Sequence, residues 1–160
     1  MILLTRWLPC LLVRQPYASL IAFGRKRWEF RSYNVRKRGN ILIAASRGRP
    51  IKTGDETLNR AATSFPRGVL LASARLIQSQ PVTANDIKKT VTGAVKTRIG
   101  EFEFWTADAP LGEPLVDLEM IPSTWHSYAW QFRDVQPMAE PIPLTRRSCS
   151  SWTTVATIER

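Results

Sequence analysis

An apolar segment bounded by Pro16 and Gly24, followed at once by Arg25-Lys26-Arg27-Trp28-Glu29-Phe30-Arg31, constrains this chain more than any other stretch. Proline suits the first turn of a helix, and glycine the position just past its end. The spacing predicts a short helix over about residues 16–23 that buries Leu20, Ile21 and Phe23, with a turn at Gly24. An extended segment over about 27–34 follows. Alternation sorts its side chains: Trp28 and Phe30 point one way, and Glu29, Arg31 and Tyr33 the other. A carboxylate and a guanidinium two residues apart, with Lys26 at the entrance, form a compact charged cluster. On spacing alone, the commoner outcome is a solvated strand face carrying an ordinary ion pair.

The flanking segments read mainly as strands. Leu11-Leu12-Val13 is a short buried strand, preceded by a tail or lead-in. Arg36-Lys37-Arg38-Gly39-Asn40 is a basic turn with a hairpin signal at Gly39-Asn40. Asn40 to Ala45 is apolar on both faces and is expected at the centre of a sheet. A short helix over 55–63 is expected, capped by Thr53 or Asp55. Val69 to Ile77 is the clearest long strand. Thr83-Ala84-Asn85-Asp86 resembles a capping box. The helix expected behind it places Ile87, Val91, Ala94, Val95 and Ile99 on one stripe. Residues 99–124 contain six acids and no Lys or Arg, broken by prolines. They read as a long loop with room for one short strand. Tyr128 to Phe132 alternates as a strand, and Val135 to Leu144 is an extended, Pro-rich closing segment.

Charge is segregated. Of a net charge of +10 over 160 residues, all lies in residues 1–50, where eleven Lys and Arg face a single acid, Glu29. The remainder holds twelve of each sign. Such clustering points to a polyanion-binding face more than to general solubility.

Several function classes are disfavoured. No apolar run approaches the roughly 18–20 residues that span a bilayer, so no membrane partner is expected. Met1 to Pro9 lacks a basic start and is interrupted by Arg6 and Pro9, unlike a signal peptide. Two distant cysteines, Cys10 and Cys149, fit a reducing compartment: intracellular, cytoplasmic, or nuclear in a eukaryote. With His126 they make three soft ligands in the whole chain, against the roughly four of a structural zinc site. No metal and no cofactor is expected. There is no P-loop and no G-x-G-x-x-G. A Ser-His-Asp triad would have to pass through His126.

The run Arg14-Gln15-Pro16-Tyr17-Ala18-Ser19-Leu20-Ile21, then Gly24-x-Lys26-x-x-Glu29-x-Arg31, then Ile41-Leu42-Ile43-Ala44-Ala45-Ser46, resembles the signature of the ASCH family. The likeness runs from about Leu11 to Ser46. It resumes at Gly68 to Ala72 and around Tyr128-Ala129-Trp130 to Pro141-Ile142-Pro143. It implies an α+β fold, a small, mostly antiparallel PUA-like β-barrel with flanking short helices, over residues 10–144. Residues 1–9 would be a tail, 47–67 and 78–124 insert-like, and 145–160 a C-terminal segment.

The resemblance implies RNA or another single-stranded nucleic acid as partner, with a modified nucleoside as the smaller ligand. The cleft would be formed by Lys26, Glu29 and Arg31 with Gln15, Tyr17 and Ser46 nearby. Arg25, Lys26, Arg27, Arg36, Lys37 and Arg38 are suited to phosphates. Gln15, Tyr17, Glu29 and Arg31 are suited to base contacts, and Tyr17 or Tyr33 to stacking. Trp28 is the least suited aromatic, because its parity sends it to the core. Relatives that deacetylate N4-acetylcytidine use a Lys, a Thr and a Glu. Here Lys26 remains, but Glu29 stands where the Thr belongs, so that nucleophile is missing. For a hydrolase, amidohydrolase or ribonuclease, the candidate catalytic groups are Lys26, Glu29, Tyr17 and Ser46, with Lys26, Tyr17 and Ser46 those suited to phosphodiester cleavage. A third reading, a protein-interaction module in transcription co-activation, would use an apolar patch including Phe102, Phe104 and Trp105.

Overall fold

The computed structural model describes residues 4–53, 55–81, 94–99, 102–107, 128–145 and 152–159. The elements in order are β1 (Leu4–Val13), α1 (Tyr17–Ala22), β2 (Trp28–Arg31), β3 (Gly39–Ala45), α2 (Glu56–Ala62), β4 (Val69–Pro81), β5 (Ala94–Ile99), β6 (Phe102–Ala107), β7 (Tyr128–Pro143) and β8 (Trp152–Glu159). This is an α+β fold in which strands predominate.

Six strands form one sheet in the order β2-β7-β4-β3-β1-β8. β1 and β3 run parallel; the other four pairings are antiparallel. The central place of β3, between β4 and β1, follows from its composition. Ile41, Ile43 and Ala45 enter the larger core cluster, while Leu42 and Ala44 enter a second cluster with Cys10 and Leu70. A strand apolar on both faces needs cover on both sides, and an interior position supplies it. β1 alternates in the same way: Leu11 and Val13 join the larger cluster, Leu8, Cys10 and Leu12 the smaller. Both helices contribute to the larger cluster, through Tyr17, Leu20 and Ile21 of α1 and Leu58 of α2. They therefore plug one face of the sheet.

The expected barrel is not closed: among the described residues no ladder joins β2 to β8. The sheet is nonetheless rolled. Trp130 of β7 stacks on Trp152 of β8, with ring centroids 5.8 Å apart, although three strands lie between them. Arg31 of β2 donates from Nη2 to the carbonyl of Leu12 in β1 at 3.2 Å. The β1–β8 ladder ends at the Leu11–Trp152 pair, one residue short of Leu12. With only four residues, β2 is too short to continue the ladder around the roll. Side chains bridge the seam instead.

α1 ends as the sequence predicts. Gly24 has φ +71°, and the N–H groups of Gly24 and Arg25 donate to Ile21 and Leu20 carbonyls at 2.9 and 2.8 Å. Glycine takes this left-handed position without steric penalty. Phe23, expected to be buried, is 55% exposed, because it is the capping residue and turns away as the helix stops. Asp55 caps α2 by accepting from the Leu58 N–H at 2.9 Å.

One helix expectation fails. Ala94 to Ile99, predicted to continue a helical stripe, is β5, paired antiparallel with β6 from Ala94–Ala107 to Ile99–Phe102. Val95, Thr97 and Ile99 are β-branched and alternate, which favours a strand over a helix. The start of that predicted helix, residues 82–93, lies outside the described residues, as do residues 108–127. β6 falls inside the stretch expected to be mostly loop. The two C-terminal strand signals, 128–132 and 135–144, merge into the single long β7, irregular near Asp134, where φ is +51°.

Candidate functional site

The turn after α1 delivers Lys26 to the start of β2, and strand alternation aligns Glu29 with Arg31. Lys26 is buried, at 3% exposure, and Glu29 nearly so, at 7%. The Lys26 ammonium donates to Oε2 of Glu29 and to the carbonyl of Trp28, both at 2.6 Å. The other carboxylate oxygen, Oε1, lies 3.0 Å from Nη2 of Arg31, whose side chain is 19% exposed. Two aromatic rings sit close to the ammonium: Tyr17 at 5.1 Å and Phe30 at 5.9 Å. The guanidinium of Arg31 lies 5.7 Å from the Trp130 ring.

The three charges thus form one line, Lys26–Glu29–Arg31, running from a buried end to a partly open one. A buried cation needs a partner, and one carboxylate serves two. The alternative of a freely solvated strand face does not describe this arrangement. The ladder explains why. Glu29 pairs with Trp130 and Arg31 with Tyr128, so all four side chains share one face. Trp130 belongs to the larger core cluster, and Tyr128 packs against it. Glu29 and Arg31 therefore point into the roll. Trp28 is buried as expected, but on the other face, in a small cluster with Ala129 and Phe30.

The remaining residues singled out from sequence divide clearly. Gln15 is fully buried, and its amide is engaged on both sides. Nε2 donates to Ser19 Oγ at 2.9 Å and to the Pro66 carbonyl at 2.8 Å, while Oε1 accepts from the Ser19 N–H at 3.1 Å. It ties α1 to the loop before β4 rather than facing outward. Tyr17 is buried in the larger cluster beneath Lys26. Tyr33 is 40% exposed and meets Trp130 edge-on at 5.2 Å. Arg25, Arg27, Arg36, Lys37 and Arg38 are all exposed. Ser46 is partly buried, and its Oγ makes no hydrogen bond among the described residues. Its side chain lies beside Arg14 and Gly48 instead. The side chains of Phe102, Phe104 and Trp105 lie outside the described residues.

Sequence reasoning missed Trp152 as part of the site. It continues from Trp130, and Lys37 lies 4.7 Å from its ring. Lys37, Trp152, Trp130 and Arg31 thus form a continuous stack of cation, ring, ring and cation. Only the roll of the sheet creates it, and no spacing in the chain announces it.

A rolled mixed sheet, plugged by two short helices, with Lys26 at the entrance to its second strand and Glu29 and Arg31 on it, defines a small α+β domain. The chain belongs to the ASCH domain family: the family model for the ASCH domain matches residues 11–132. A search of curated proteins found none that matches. No described helix is long and apolar enough to cross a membrane.

Proposed function

We propose that this ASCH domain binds single-stranded nucleic acid, RNA foremost, across the face where Arg31 emerges. The observation that carries the reading is the placement of charge. A preorganised Lys26–Glu29–Arg31 line lies in a segment whose other cations, Arg25, Arg27, Arg36, Lys37 and Arg38, are exposed and whose only acid is Glu29. Exposed Lys and Arg neutralise phosphates and set affinity. Arg31, the most open member of the line, is placed to meet a base edge or a phosphate, with Glu29 holding its orientation. Tyr33, 40% exposed, is an aromatic suited to stacking. Lys26 and Gln15 support the site from beneath.

Hydrolytic chemistry is the weaker reading. The Lys26 ammonium is held by a carbonyl and a carboxylate, Tyr17 is buried in the core, and Ser46 Oγ makes no hydrogen bond to the charged line.

Fluorescence anisotropy with a labelled 12-nucleotide RNA tests the proposal. Log K should fall linearly with log salt, with a slope of roughly −0.7 per phosphate contact. Arg25→Glu with Arg27→Glu should weaken binding by roughly tenfold or more. The same exchange at the exposed pair Arg60 and Arg67 should change it little. A flat salt profile, or equal losses from the two pairs, would overturn the assignment.

A further inference from the structure

A concavity is formed by residues outside the charged line. An open groove of about 670 Å³ is lined by Trp7, Leu8 and Pro9 of β1, by Lys37 and Arg38 of the preceding turn with Gly39 and Asn40 of β3, and by Arg75 of β4. That volume falls within the range of small-ligand sites. Its composition is specific. Three of the eight lining residues are cationic, none is acidic, and one is a tryptophan with 59% of its surface exposed. Tryptophan is usually well buried, so a largely open indole beside cations is an informative exposure.

The frame around the groove is ordered by the fold. Asn40 and Arg75 are direct partners in the β3–β4 ladder. Arg38 Nη1 donates to the carbonyls of Val35 and Lys37 at 2.7 and 2.8 Å, which fixes the plane of its guanidinium. Lys37 is held over the Trp152 ring. Arg75 carries one competing contact, to Asp134 at 3.4 Å, in which both side chains are more than half exposed. Such a pair is weak and readily exchanged for a phosphate.

We infer that this groove is a second nucleotide subsite, in which one base of a single-stranded nucleic acid stacks on the Trp7 indole while its phosphates meet Lys37, Arg38 and Arg75. Leu8 and Pro9 are the groove's apolar lining, and Asn40 its neutral polar one. The inference rests on the nucleic-acid reading above and extends it. The strand passes from Arg31 towards Lys37, which lies over the partly exposed Trp152 ring. Trp7, Asn40 and Arg75 thereby join the binding surface. Sequence alternation supplies none of them, because Trp7 lies in the part of the chain that reads as a tail.

The test uses the whole chain and the same 12-nucleotide RNA, with a matched DNA oligonucleotide as a second arm. Trp7→Ala should weaken binding roughly 5- to 100-fold, the loss of one base–indole stack, without changing the salt slope. Trp7→Tyr should restore most of the affinity. Arg75→Ala should lower the salt slope by about one contact. Asp134→Asn should strengthen binding, because it removes the competing carboxylate, and asparagine accepts the positive φ at that position. Photo-crosslinking of 4-thiouridine RNA to the wild-type chain should mark the peptide containing Trp7, a readout independent of any variant's folding. Wild-type binding with unchanged Trp7→Ala affinity, or crosslinks confined to residues 25–36, would overturn the subsite and leave the first reading standing. Absence of any wild-type binding would overturn both.

Discussion

Nζ of Lys26 lies 2.6 Å from Oε2 of Glu29, inside the roll, and no other acid occurs in the first fifty residues. The carboxylate is therefore the counter-charge for a buried ammonium and for the guanidinium beyond it. Removing it takes away the buried counter-charge of Lys26, while the hydrogen bond to the Trp28 carbonyl stays. Glu29→Ala should destabilise the domain by about 3–5 kcal/mol, the usual effect of breaking a buried pair on one side. Urea unfolding measures this. A change below about 1 kcal/mol would mean that the pair behaves like a surface one.

Gln15 makes a different prediction, because its role is anchorage. Gln15→Ala leaves the Pro66 carbonyl and the Ser19 N–H without their buried partner. The expected loss is roughly 2–3 kcal/mol. RNA affinity of the folded fraction should change little. A variant that keeps its stability but loses binding would move Gln15 back to the ligand.

Cys10 gives a pH signature. Burial pushes its thiol up to about 12, from an ordinary value of 9.0. The folded state therefore prefers the neutral thiol more than the unfolded state does. That contribution is complete below about 9 and is lost as pH rises towards about 12. In a Cys149→Ser background, iodoacetamide at pH 8 should label Cys10 only when denaturant is present. Rapid labelling of the native protein would contradict its burial.

Trp152 tests the seam. Trp152→Ala removes the indole stacked on Trp130 and the ring beneath Lys37. Stability should fall by about 2 kcal/mol, less than for a fully buried tryptophan because Trp152 is only partly covered. Amide exchange should quicken in β8 and at the end of β1. Unchanged exchange would mean that backbone pairing alone holds the edge.

The parts of the fold legible in sequence are those set by local chemistry. Pro16 and Gly24 bracket α1 because each acts on its own backbone dihedral. Asp55 marks the start of α2 because a cap is a contact over three residues. The two-faced apolar run in β3 revealed a central strand. The rest depends on distant contacts. The helical stripe from Ile87 to Ile99 misled because Val95 and Ile99 fit both periods; Thr97, with Phe102 and Phe104 beyond it, carried the strand signal. Alternation placed Glu29 and Arg31 on one face but gave the core to the other, on the parity of Trp28, since both faces of β2 bear large side chains. The outcome was decided by Trp130 and Tyr128, about a hundred residues away in the chain. Closure was overcalled for a related reason: four residues of β2 make a ladder with one neighbour only.

The bridge from Arg31 to the Leu12 carbonyl has a mechanical implication. A cylinder latched by a guanidinium, instead of by paired backbones, can be unlatched by anything that binds guanidinium better. A phosphate that captures Arg31 takes it from β1, so occupancy and the freedom of β2 become linked quantities. Whatever affinity the domain shows for an anion at this position already includes the work of opening its own latch.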